Sequence, residues 1–307
     1  MPEVSAKHAA ERTAGWDPGA LRRGTHVADG AWSTILRAGL PLPAPPAERL
    51  NVASPQLVRE LAERYVAAGV DVLTTNTFAC NRFAWPGDAA EALHLAREGA
   101  AIARAAAERS GALVVGALGP TGRILSVQEI TPAEAAGAFA ESARALADGG
   151  VDAIVLETLS ELDELLVAAD AVRNAVGLPA IACLSLDSGP QRTRTNMGVE
   201  AGDAAAALDR AGVDAIGCNC GGGVTTALPA VVALRAATQR PLWVKPNAGL
   251  PELEQGRVVY RVSAEDFARA AEPLVSAGAD VIGGCCGVGP EHIQRLRALV
   301  QRHAAAR

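Results

Sequence analysis

Six cysteines are spread over 307 residues, and three of them stand where packing alone would have chosen another residue. Cys285 and Cys286 are adjacent in the run Val281-Ile282-Gly283-Gly284-Cys285-Cys286-Gly287, an apolar strand signal that ends in glycines and thiols. The end of a similar run, Val213-Asp214-Ala215-Ile216-Gly217-Cys218-Asn219-Cys220, offers a third. Three thiolates with a fourth position left open make a zinc site that can take a substrate. The cysteines are too sparse for a disulfide scaffold, which favours reduced thiols with metal or catalytic duties. Cys218 and Cys220 share a strand parity, so alternation does not choose between them. Alternation also sends Cys285 and Cys286 to opposite faces. Both reach one ion only if the strand breaks pattern, and Gly283, Gly284 and Gly287 permit a bulge or sharp bend there. Cys80 and Cys183 read as small buried hydrophobes.

The elements that must position these thiols alternate along the chain. Apolar runs at 25–31, 70–78, 113–118, 151–156, 180–186, 213–218, 242–245 and 281–284 predict strands. Between them fall helical patterns: one opening at Ser54-Pro55, then 89–109, 132–148 behind an N-cap at Thr131, 161–176, 201–211, 225–238, 264–277 and 290–303. Four helices end in one phrase, Ala68-Gly69-Val70-Asp71, Gly149-Gly150-Val151-Asp152, Ala211-Gly212-Val213-Asp214 and Ala277-Gly278-Ala279-Asp280. It reads as a capping glycine and a short turn repeated around a ring. Eight strand–helix units of this length predict an α/β protein built as a single (β/α)8 barrel over residues 25–307. Residues 1–24 read as an N-terminal extension with helical composition and no assigned chemistry, and 41–46 as a stiff proline-rich connection. In such a barrel the polar residues at the strand ends, from Asp29 to Cys286, converge on one mouth.

The net charge of −6 offers no basic face to nucleic acid, and no apolar run reaches the length of a membrane span. A cytoplasmic protein is expected. A rival chemistry rests on Lys245, which as a Schiff-base amine beside a glycine-rich phosphate site makes a barrel lyase. A non-catalytic zinc-binding partner subunit is a second rival.

Seven motifs, in order, resemble those of the homocysteine S-methyltransferases: Asp29-Gly30-Ala31, Thr75-Asn76-Thr77-Phe78, Leu118-Gly119-Pro120-Thr121-Gly122, Glu157-Thr158, Asn219-Cys220, Pro246-Asn247-Ala248-Gly249 and Gly283-Gly284-Cys285-Cys286-Gly287. That family includes betaine- and S-methylmethionine-using enzymes and the homocysteine-binding module of cobalamin-dependent methionine synthase. The resemblance selects Cys220 over Cys218 and implies a zinc-dependent barrel with Cys220, Cys285 and Cys286 as metal ligands. It implies homocysteine as acceptor with Glu157 against it; by their place at the strand ends, Glu157 and Asp29 are the expected partners for its ammonium. Backbone amides from Gly30 to Ser33 are expected to meet its carboxylate, and Asn76, Asn219 and Asn247 stand as substrate contacts or turn formers, asparagine being more often a turn former. Where the family often has Met-Gly-Thr, this chain has Trp32-Ser33-Thr34, a bulkier wall. The likeness is greatest to the methionine synthase module, yet folate- and cobalamin-binding domains beside the barrel are not expected. The methyl group is therefore expected from a small donor, such as S-methylmethionine or betaine, or from a separate methyl-corrinoid protein.

Overall fold

Each apolar run becomes a strand, and all eight are parallel. The computed structural model describes residues 17–38, 40 and 42–306, so the expected extension lies outside the described residues up to residue 16. The strands are β1 His26–Val27, β2 Val72–Thr74, β3 Leu113–Leu118, β4 Ala153–Leu159, β5 Ala180–Leu184, β6 Ala215–Cys220, β7 Leu242–Pro246 and β8 Val281–Ile282. Neighbours in the chain are neighbours in the sheet, and β8 returns to β1. The ring closes between β1 and β2 through the Ala28–Val72 bridge, with Asp29 N donating to Val72 O at 3.1 Å and Asp71 N to Val27 O at 2.7 Å. A (β/α)8 barrel results.

Alternation divides the side chains between two cores. Val115, Ala117, Val155, Ile181, Cys183 and Trp243 fill the barrel interior, and Leu21, on a short helix Pro18–Leu21, packs against them. Gly217 is required here, because a Cβ at that position would lie 1.9 Å from Trp243 O. Outward residues such as Leu73, Leu118, Ile154 and Leu156 meet the helix faces, including Phe139, Leu165 and Phe267.

The repeated phrase does more than cap helices. Asp71, Asp152, Asp214 and Asp280, at the starts of β2, β4, β6 and β8, each accept a backbone N–H from the strand before. The donors are Val27 at 2.8 Å, Val114 at 2.7 Å, Ala180 at 2.9 Å and Leu242 at 2.8 Å. The glycines of the phrase, 69, 150, 212 and 278, have positive φ, and each lies against the side chain of Arg297, Arg104, Arg173 or Arg235 respectively. Four carboxylate staples thus lock strand pairs at the end of the barrel opposite the mouth, leaving the C-terminal ends free to diverge from regular pairing. Asp214→Ala leaves the Ala180 N–H without its acceptor and is expected to cost about 1–3 kcal/mol in denaturant unfolding, with the fold retained.

Departures from the expected elements concentrate at the mouth. β1, β2 and β8 are shorter than their apolar runs, because 29–31, 75–78 and 283–284 turn away from regular strand to build the site. β4 runs on to Leu159 through a register shift between Leu156 and Leu159. The loop after β7 carries an antiparallel hairpin, Glu252–Glu254 with Arg257–Val259, followed by Tyr260. No helix among the described residues is long and apolar enough to cross a membrane.

Candidate active site

Two breaks in regular backbone bring the thiols together. At the end of β6, Cys220 has φ +65° and Gly221 +71°, so the chain turns left-handed and leaves the strand's alternation. Cys218, two residues earlier, stays in the outer core, its thiol pushed up to about 12 by burial. β8 stops at Ile282, so Cys285 and Cys286 occupy a turn rather than a pleated strand, and the parity conflict does not arise. That turn is pinned on every side. Gly284 N donates to Asp29 O at 2.9 Å, Cys285 N to Pro246 O at 2.9 Å and Gly287 N to Thr34 Oγ1 at 3.0 Å. A Cβ at position 284 would lie 2.1 Å from Val288.

The Sγ atoms of Cys220, Cys285 and Cys286 all lie within 4.8 Å of one another and are half-buried. Among the described residues no other group of three His, Cys, Asp or Glu side chains is so placed. All six cysteines are free thiols. Hydrogen bonds within the trio hold Cys220 low, as acceptor from Cys285 and Cys286, and raise the other two. An all-sulfur donor set of this spacing fits a soft tetrahedral cation such as zinc and does not suit magnesium or calcium. Amides surround the sulfurs. Asn247 Nδ2 is 3.5 Å from Cys220 Sγ while its Oδ1 accepts from Cys286 N at 2.9 Å, and Asn219 Nδ2 lies 3.7 Å from Cys285 Sγ. The Tyr260 hydroxyl bonds Cys286, and burial with the nearby thiols raises its pKa.

The sulfurs edge a cavity of about 400 Å³ lined by Gly30, Trp32, Ser33, Asn76, Glu157 and Lys245 among others. Glu157 sits in the β4 irregularity, next to Thr158 at φ +64°. Asn219 holds that strained threonine at both ends, accepting from its N and donating to its Oγ1, each at 2.7 Å. The Glu157 carboxylate accepts no hydrogen bond among the described residues. Burial raises it to about 7, against the pull of Lys245 and with the push of Asp29 and Cys220. An unpartnered carboxylate facing a cavity awaits a cation.

Sequence reasoning placed Asp29, Asn76 and Asn219 against substrate; here the Asp29 carboxylate, the Asn219 amide and Asn76 Nδ2 bond protein partners, while Asn76 also lines the cavity. Asp29 is fully buried behind the cavity wall, taking Thr74 N at 2.8 Å, Trp32 Nε1 at 3.1 Å and Lys245 Nζ at 2.6 Å. Asn76 Nδ2 bonds Ala47 O and Asn51 Oδ1, both at 2.9 Å, and ties the segment after β2 to the helical stretch 47–53. Gly30 and Ser33 do line the cavity. The wall expected to be bulky is Trp32, which also braces Asp29. Thr74 and Tyr260 escaped sequence reasoning. Thr74 carries only an inward strand parity as a signal, and Tyr260 follows a loop with no periodicity to place it. Lys245 does not suit Schiff-base chemistry. Its amine is ion-paired to Asp29 at 2.6 Å, and although burial lowers its pKa, Asp29 and Glu157 raise it on balance, which disfavours the neutral form a nucleophile needs.

Comparison with known proteins agrees with this geometry. The chain is 32% identical over 268 residues to methionine synthase of Mycobacterium tuberculosis and 32% identical over 270 residues to that of Mycobacterium leprae. These matches cover 82% and 83% of the chain, but only 22% of either relative's length. The metallated form of the Escherichia coli homocysteine methyltransferase MmuM superposes with a TM-score of 0.75 at 25% identity, covering 92% of this chain and 99% of that one. The family model described as homocysteine S-methyltransferase matches residues 26–300. From the first barrel strand to the last helix, therefore, the chain belongs to the homocysteine S-methyltransferase family.

Proposed function

We propose that this chain methylates the thiol of homocysteine, giving methionine, with Cys220, Cys285 and Cys286 holding a zinc ion at the cavity edge. One observation carries the reading: a three-sulfur cluster and an unpartnered carboxylate, Glu157, line the same cavity. A small amino-acid thiol has one group for each. Zinc, when bound, supplies the Lewis acidity that lets an acceptor thiol of pKa ~8.5 lose its proton at neutral pH. The chain's own residues do the rest. Glu157 takes the ammonium and so fixes the direction in which the sulfur end points. The Asn219 and Asn247 amides lie beside the cysteine sulfurs and orient them, while Trp32 and Thr158 narrow the approach. In the transfer the donor–methyl bond breaks, a sulfur–methyl bond forms and the thiol proton leaves to solvent. The methyl group comes from a small donor, S-methylmethionine or betaine, or from a separate methyl-corrinoid protein.

The test is methionine formation from homocysteine by zinc-loaded, reduced protein offered S-methylmethionine, betaine, S-adenosylmethionine or methylcobalamin, each with and without chelator. Chelator-sensitive methionine from one donor supports the reading and names that donor; protein that retains no zinc and binds no homocysteine removes it. Asn247→Ala is expected to weaken zinc retention about 10- to 100-fold in a chelator competition, because the amide spans Cys220 and the Cys286 backbone.

A further inference from the structure

We propose that Lys245, held by Asp29 and Thr74, is the anchor for the carboxylate of the amino-acid acceptor, opposite Glu157 across the cavity floor. This rests on the acceptor reading above and deepens it. Lys245 points inward from β7, is 3% exposed and lines the cavity together with Glu157 and Cys285. An ammonium has three N–H donors. Asp29 Oδ1 takes one at 2.6 Å and Thr74 Oγ1 lies within reach of a second at 3.5 Å. The third has no partner among the described residues.

The arrangement is a holder for the lysine rather than a lysine recruited to neutralise Asp29. The Asp29 carboxylate already receives Thr74 N, Thr74 Oγ1 and Trp32 Nε1, donors enough to satisfy it in a buried setting. A buried ion pair is a weak device for stability, since desolvating both charges offsets most of their attraction. Its value here is direction. Asp29 after β1 and Thr74 on β2, themselves braced by Trp32 Nε1, fix the flexible side chain so that its remaining donor faces the cavity. Cation and carboxylate then stand within Coulombic reach of each other. Such a pair is complementary to a zwitterion: Glu157 to the ammonium, Lys245 to the carboxylate, with the thiol directed at the cysteine trio. The backbone amides near Gly30 are the competing carboxylate site.

Calorimetric binding to zinc-loaded protein separates the two, using three thiols: homocysteine, 4-mercaptobutanoate, which lacks the amine, and 3-aminopropane-1-thiol, which lacks the carboxylate. Lys245→Met is expected to weaken homocysteine and 4-mercaptobutanoate by about tenfold to a hundredfold, and to change 3-aminopropane-1-thiol by less than about threefold. Lys245→Arg is expected to recover most of the loss. Lys245→Met alone strands the Asp29 charge, so the double variant Asp29→Asn/Lys245→Met, which removes both charges of that pair, must give the same split. Unchanged binding of 4-mercaptobutanoate, or equal weakening of all three thiols in the double variant, overturns the anchor. If the unsubstituted protein binds homocysteine and the split is absent, only the anchor fails; if it binds none of the three, the acceptor reading fails and the anchor with it.

Discussion

Cys286→Ala is expected to lose its zinc and its methyl transfer while keeping the barrel intact. Removing one of three sulfurs takes away a ligand outright, so zinc retention should fall by more than about 100-fold, beyond the cost of losing a group that merely orients a ligand. The fold does not depend on this side chain. Cys286 lies in a turn beyond β8, its N–H is held by Asn247 Oδ1 at 2.9 Å and its carbonyl accepts from Ala248 N at 2.9 Å. Metal content per chain after exhaustive dialysis, read beside thermal unfolding, gives the answer. Cys80→Ala is the control, since Cys80 is fully buried away from the trio and its thiol is raised by that burial. A Cys286→Ala protein with a full complement of zinc would sink the three-sulfur assignment.

How far the sequence reached follows from which features have a period. Strand and helix identities, the Thr131 capping box and the repeated glycine turns depend on neighbours in the chain, so spacing revealed them. The strand ends did not obey spacing. At Cys220, Thr158 and the 283–287 turn, the backbone gives up regular pairing to aim side chains at one point; the glycines at 283, 284 and 287 announce the last of these breaks, but nothing local announces the positive φ at Cys220 and Thr158. Parity left Cys218 and Cys220 equal; the positive φ at Cys220 separates them. The asparagines and Asp29 show a second limit. Their residue types announced polar business at the mouth, yet whether a carboxylate meets a substrate or a lysine 216 positions away depends on tertiary closure. Lys245 was read as a rival nucleophile because its partner across the ring was invisible from β7 alone.

Glu157→Gln is expected to raise the KM for homocysteine about tenfold to a hundredfold with a much smaller change in kcat, because the lost charge contacts the remote ammonium and not the reacting sulfur. Glutamine keeps the shape and removes the charge, so stability should not fall; a half-buried carboxylate without hydrogen bonds is costly to ionise, and the amide escapes that cost. The same substitution carries a pH signature. The groups around Glu157 are Lys245 on β7, Asp29 after β1 and Cys220 ending β6, and burial dominates them to raise the carboxyl to about 7. Only the ionised form attracts an ammonium. Homocysteine affinity should therefore weaken as pH falls through 7, approaching tenfold per unit below it, and this component should vanish in Glu157→Gln. Taking the ratio of the two proteins at each pH cancels whatever acid does to the cysteine trio they share. A ratio that stays flat from pH 8 to pH 6, with both proteins loaded with zinc, would mean that the ammonium is held elsewhere. A ratio that falls toward one on the acid side would tie the half-buried charge of β4 to the amino-acid end of the acceptor.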